Sequence, residues 1–97
     1  MMILNKKIKA IRLDEGLTQL EFSQLIDIPV ISLQNYEREV RNPSSENLMK
    51  ITEHPRFEKY AFWLVTGKTD YESGHICPAF STQEKCGLDV PQDAKRA

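Results

Sequence analysis

Leu4, Ile8 and Ile11 recur at i, i+4 and i+7 with lysines between them, which predicts a helix from about Ile3 to Glu15 with one apolar face. Gly16 stands where a helix end favours the left-handed conformation, which glycine adopts at no steric cost. Thr18 and Glu21 follow at the spacing of a capping box, and Leu17 and Phe22 are placed to staple the entry to the next helix. That second helix should end near Ile26, after only two turns. Asp27-Ile28-Pro29 is the break, because proline lacks the amide needed inside a helix but suits its first turn. A third helix then begins at Pro29 or Val30, turns Leu33 and Tyr36 inward, and stops near Arg38 or Glu39. Arg41-Asn42-Pro43-Ser44 reads as a loop, and Ser44 or Ser45 caps a fourth helix with Leu48, Met49 and Ile51 facing inward. A fifth helix opens at His54-Pro55, carries Phe57, Tyr60, Ala61 and Leu64 on one face with Trp63 beside them, and closes at Gly67.

No period-2 pattern interrupts these segments, so the expected fold is all-α. The helices occupy residues 1–67, and residues 68–97 form a C-terminal extension in which Gly, Pro, Ser and Thr break every short apolar run. The extension is expected to be largely irregular, with a short strand or helical turn around His75 to Phe80 and a disordered end from Val90 to Ala97. It has too few apolar side chains to fold alone.

Ninety-seven residues bury one modest core and leave no room for a second domain. Thirteen Lys plus Arg against fourteen Asp plus Glu give a net charge of −1, so any phosphate-binding surface must be a local arrangement. No run of 18 apolar residues is present, and the N-terminal stretch mixes its apolar residues with lysines, so neither a membrane span nor a secretory signal is expected. Cys77 and Cys86 are then expected to be reduced thiols. With His75 they supply three metal ligands where a structural zinc site takes four, so no metal and no cofactor is expected. Catalysis is not expected either. His54 and His75 lie in different segments, the four glycines are isolated, and no Ser-His-acid set, HExxH motif or glycine-rich phosphate loop is present.

Two short helices joined by a tight turn have the helix-turn-helix pattern. The stretch from Leu17 to Ser44, LTQLEFSQLIDIPVISLQNYEREVRNPS, resembles that motif in the Cro and phage-repressor (XRE-type, lambda repressor-like) family of DNA-binding regulators. Leu17, Thr18, Gln19, Glu21 and Phe22 match its first part, Leu33, Tyr36 and Glu37 its second, and Arg41-Asn42-Pro43-Ser44 its loop. The resemblance runs from about Lys7 to Leu64, and the segment from Phe62 to Thr69 with Gly74-His75-Ile76 is similar to the tail of small phage-related members. Three positions depart from the pattern. Asp27 replaces the glycine of the turn, Pro29 the serine heading the recognition helix, and Glu39 the glycine that follows it.

The resemblance implies a five-helix lambda repressor-like domain, with its motif at about residues 17–39. It also implies a transcriptional regulator, a repressor of phage or prophage type working in the cytoplasm of a bacterial or phage-infected cell. Its partner would be an operator on double-stranded DNA. The recognition helix would present Val30, Ile31, Ser32, Gln34 and Asn35 to the bases. Gln and Asn can bond N6 and N7 of adenine and apolar side chains can cover a thymine methyl, so this surface leans towards A·T. No Arg or Lys lies between Val30 and Glu37. Phosphate contacts are therefore assigned to Gln19, Arg38, Arg41, Asn42 and Lys9, with Lys6, Lys7 and Arg12 as further cations.

Blander roles stand beside these. Gln19 and Glu21 can simply cap a helix, Lys6, Lys7 and Lys9 can be a solvated face, and Val30 with Ile31 can mark a protein interface. One short helix makes few base contacts, so a homodimer on a palindromic operator is expected. The aromatic group of the fifth helix is too large to bury on one face. Phe62 and Trp63, covered by Tyr71, Ile76 and Phe80 of the extension, are thus assigned to dimerisation. The alternative is an antitoxin or anti-repressor of the same fold, holding a protein partner through the C-terminal extension.

Overall fold

The N-terminal helix α1 (Ile3–Asp14) buries Ile8, Ala10 and Ile11 completely, and the other elements are built around that face. The computed structural model describes residues 3–90. Helices α2 (Gln19–Leu25), α3 (Val30–Glu37), α4 (Ser45–Thr52), α5 (Ala61–Thr66) and α6 (Phe80–Lys85) follow, with 3₁₀ turns at Glu58–Tyr60 and Tyr71–Ser73. The described residues form no sheet; Asp70 and His75 make an isolated antiparallel bridge. The expected all-α class holds.

Local chemistry sets most boundaries. Thr18 Oγ1 accepts from the Glu21 amide at 3.1 Å, and Glu21 Oε1 accepts from the Thr18 amide at 2.9 Å, which completes the capping box of α2. Ser44 caps α4 through the Asn47 amide. Pro29 heads α3 with no side-chain cap. Asp27 and Glu39 both take positive φ, at 57° and 63°, where the family pattern has glycine.

The core joins Ile8, Ile11, Phe22, Ile26, Leu33, Ile51, Phe57, Tyr60, Trp63 and Leu64. Phe22 and Phe57 meet edge to face, with ring centroids 4.9 Å apart. Three expectations are corrected here. The fifth helix does not run from Pro55: residues 54–57 turn, a 3₁₀ turn follows, and α5 is six residues long. Met49 is 51% exposed and does not face the core. Trp63 is only 5% exposed, so it belongs to the core of this chain and offers no outer surface.

The extension is more ordered than its composition implies. Ile76 donates its amide to Lys59 O at 2.9 Å, the His75 ring lies 5.5 Å from that of Phe62, and Ala79 donates its amide to Asp14 Oδ1 at 2.9 Å. Beyond these anchors α6 packs on α1, with Pro78 and Gln83 buried and Gln83 Nε2 bonded to Pro78 O. Val90, expected in the disordered end, is buried, while residues 91–97 of that expectation lie outside the described residues. No helix among the described residues is long and apolar enough to cross a membrane.

Candidate nucleic-acid interface

Helices α2 and α3 pack on each other through a four-residue turn, Ile26 to Pro29. Ile26 and Ile28 are buried beneath it and Asp27 stands at its tip, where Lys50 Nζ donates to the Asp27 carbonyl at 3.0 Å. The Ile28 amide bonds Ser23 O, and the Ser23 hydroxyl bonds Leu20 O, so the turn is tied back to α2 by local bonds. The pair is anchored to α1 by a buried ion pair. Arg12 Nε donates to Glu37 Oε2 at 2.7 Å, Arg12 Nη2 to Glu37 Oε1 at 2.9 Å, and Arg12 Nη1 to Leu17 O.

The residues expected to read bases share one short helix. Ile31 is 55% exposed, while Val30, Ser32, Gln34 and Asn35 are half-buried beside it. Asn35 Oδ1 accepts from Arg38 Nη2 at 2.8 Å. The phosphate set is less uniform. Arg38, Arg41 and Asn42 are exposed at the exit of α3, and Lys9 is half-buried on α1. Gln19 heads α2, but one of its two amide hydrogens goes inward to Glu37 Oε1 at 3.2 Å.

Two of the further cations are engaged elsewhere. Arg12 is buried against Glu37, and Lys7 Nζ bonds the Trp63 and Leu64 carbonyls over the indole ring. Burial lowers the Lys7 pKa. These two are structural cations.

The dimerisation set is gathered, but inside one chain. Trp63, Tyr71 and Phe80 line a cavity of about 440 Å³ together with Cys77 and Val90. Tyr71 is the exposed member at 62%, and its hydroxyl lies 3.3 Å from Cys77 Sγ. Phe62, Ile76 and Phe80 are half-buried. Among the described residues no three His, Cys, Asp or Glu side chains come together in a way that could hold a metal ion.

One positioning residue escaped the sequence reading. Asn5 is fully buried in α1, and its Nδ2 donates to Tyr36 O at 2.8 Å and to Arg41 O at 2.6 Å. It thereby pins the end of α3 and the loop carrying Arg41 and Asn42. An asparagine near a chain start among lysines gives no signal of burial, because its partners are 31 and 36 residues away.

The helix-turn-helix family pattern matches residues 8–56. The chain is 31% identical over 78 residues to the repressor protein C of Escherichia phage P2, spanning 80% of this chain and 79% of that protein. It is 37% identical over 51 residues to the HTH-type transcriptional regulator ImmR of Bacillus subtilis, spanning 53% of this chain and 40% of that one. The matched stretch contains α2, the turn and α3 together with the Arg12–Glu37 pair that seats them, and the chain belongs to the XRE-type helix-turn-helix family of DNA-binding transcriptional regulators.

Proposed function

We propose that the protein is a repressor that reads a palindromic operator as a homodimer, with α3 in the major groove of each half-site. The observation that carries this reading is the exposed edge of α3. Ile31, Gln34 and Asn35 lie on a helix seated from behind by Arg12, Asn5 and Leu33, so the outward side chains are held in fixed register. Val30 and Ile31 cover thymine methyl groups, and Gln34 bonds an adenine edge. Arg38, Arg41, Asn42, Lys9 and the remaining hydrogen of the Gln19 amide hold the phosphates on either side.

Pairing follows from the small reading surface. A helix of eight residues touches few base pairs, and two copies on a two-fold site double the contacts. Tyr71, Phe62, Ile76 and Phe80 remain the surface for pairing, without Trp63. The competing role, a protein partner held by a free tail, is weakened because residues 75–90 pack back on their own chain.

Titrating wild type and Arg41→Ala against DNA flanking the gene and against random DNA, at several salt concentrations, tests the reading. Arg41→Ala should bind both DNAs more weakly and flatten the salt dependence by about one unit of slope. Equal affinity of the wild type for both DNAs, or a strict monomer on DNA in sedimentation, would overturn it.

A further inference from the structure

We propose that Arg38 is a positioning residue for base readout, fixing the Asn35 amide so that α3 meets a guanine rather than an adenine at that point of the operator. The inference rests on the reading of α3 as the base-reading helix. Arg38 lies three residues beyond Asn35 on the same helix face, and its Nη2 donates to Asn35 Oδ1 at 2.8 Å. The backbone beneath the pair is also held, since Asn35 O accepts the amides of Val40 at 2.9 Å and Arg41 at 3.3 Å.

An asparagine recognises adenine by using both ends of its amide, Oδ1 accepting from N6 and Nδ2 donating to N7. Here Oδ1 already accepts a charged donor, and a full positive charge stands beside it. An incoming N6–H₂ of adenine, or N4–H₂ of cytosine, would bring a positive edge against that guanidinium. Guanine offers the opposite, two acceptors at O6 and N7 and no donor in the major groove. The Asn35 Nδ2 hydrogens are donors only, so they match that edge, and the Arg38 guanidinium that holds Oδ1 adds no acceptor beside them.

The surroundings leave this charge in place. No Lys or Arg lies between Val30 and Glu37, so Arg38 is the cation that α3 brings to the groove. The adjacent Glu37 carboxylate does not neutralise it, because it is 3% exposed and held by Arg12 and Gln19. The A·T preference of the Val30, Ile31 and Gln34 end of α3 is untouched. The change concerns Asn35, and Arg38 in its role beside the phosphate contacts.

Selection from a pool of random duplexes, with the full chain as wild type, Asn35→Ala, Arg38→Ala and Arg38→Lys, tests the proposal. Wild type should enrich guanine at one position of each half-site, and Asn35→Ala should lose preference there. Arg38→Ala should shift that position towards adenine, with a change of about tenfold in the guanine-to-adenine ratio, while Arg38→Lys keeps guanine. Arg38 is exposed, so both Arg38 variants should melt close to wild type. If Arg38→Ala binds every sequence more weakly but selects the same base, Arg38 is a phosphate contact only and the proposal fails. Adenine at that position in the wild type also overturns it. A wild type that enriches no sequence overturns the base-reading role of α3 itself, and the proposal with it.

Discussion

Arg12 and Glu37 face each other as two parallel forks, 2.7 and 2.9 Å apart at their contacting atoms, with side chains 11% and 3% exposed. One residue lies in the last turn of α1 and the other closes α3, so the pair fixes the tilt of α3 against the scaffold. Removing one partner leaves the other charged and buried. Arg12→Ala or Glu37→Ala should each cost about 3–5 kcal/mol in urea unfolding. The double replacement Arg12→Met with Glu37→Leu should cost less than either single change, because no orphan charge remains. A double mutant as unstable as the sum of the singles would show that the two residues are not coupled and that each acts through its other contacts.

Backbone strain at the exit of α3 yields the next expectation. Glu39 has φ of 63°, where a side chain other than glycine costs roughly 1–2 kcal/mol. Its amide bonds Tyr36 O whatever the side chain is. Glu39→Gly relieves the strain and returns part of the gain through a freer unfolded chain, a net stabilisation of about 0.5–1 kcal/mol. The thermal midpoint should rise by about 2–8 °C. A fall in midpoint would mean that the Glu39 side chain makes a contact that outweighs its backbone cost.

These two positions also show what the residues disclose before the fold is known. Thr18, Glu21 and Ser44 act through neighbours three residues away, so the start of α2 is readable from spacing and that of α4 to within one residue. Asp27 and Glu39 were readable as glycine substitutes by their place in the motif, and both adopt the left-handed backbone. Asn5, Lys7 and Gln83 were not. Each side chain bonds a backbone carbonyl, and those held by Asn5 and Lys7 lie far along the chain, so no local pattern marks them. The order of the C-terminal extension beyond its contact with the fifth helix is hidden for a related reason. Its apolar residues are sparse because it covers a core already built by α1 and α5, with Ile76, Cys77, Cys86 and Leu88 packed against it. At the candidate site the outward side chains of α3 followed from helical spacing. The Arg38–Asn35 bond required knowing the rotamers.

Acid should loosen the junction between the end of α1 and the 3₁₀ turn at Glu58–Tyr60. Burial alone would push the Glu15 carboxyl up, but bonds from Arg56, Tyr60 and Lys59 outweigh it and hold its pKa below the ordinary value of 4.5. The Tyr60 hydroxyl bonds both Asp14 and Glu15, and its own pKa is pushed up, by burial first and then by those carboxylates. A depressed carboxylate pKa contributes stability that is complete above the unfolded value and is lost as pH falls through the folded one. Wild type should therefore lose stability as pH drops from about 5 towards 3, and Glu15→Gln should flatten that slope while lowering stability at neutral pH. Thermal melts at stepped pH distinguish the two proteins. Parallel curves would place the acid sensitivity in another carboxylate.

The tail supplies the last test, because its docking within one chain and its proposed part in pairing predict different concentration dependence. Residues 69–90 cover Trp63, bring Pro78, Gln83 and Val90 to buried positions, and tie α1 to the tail through the Ala79 amide on Asp14. A chain ending at Lys68 keeps α1 to α5 but returns the Trp63 face to water, a loss of about 2–3 kcal/mol from that side chain alone. It should remain helical by circular dichroism and melt below the full chain. If the tail acts only within its own subunit, the gap between the two midpoints stays constant as protein concentration rises. If the tail also joins two copies, the full chain gains stability with concentration by mass action and the gap widens. Melting both chains across a hundredfold range of concentration decides between them, and a truncated chain that melts with the full one would remove the tail from the folded core altogether.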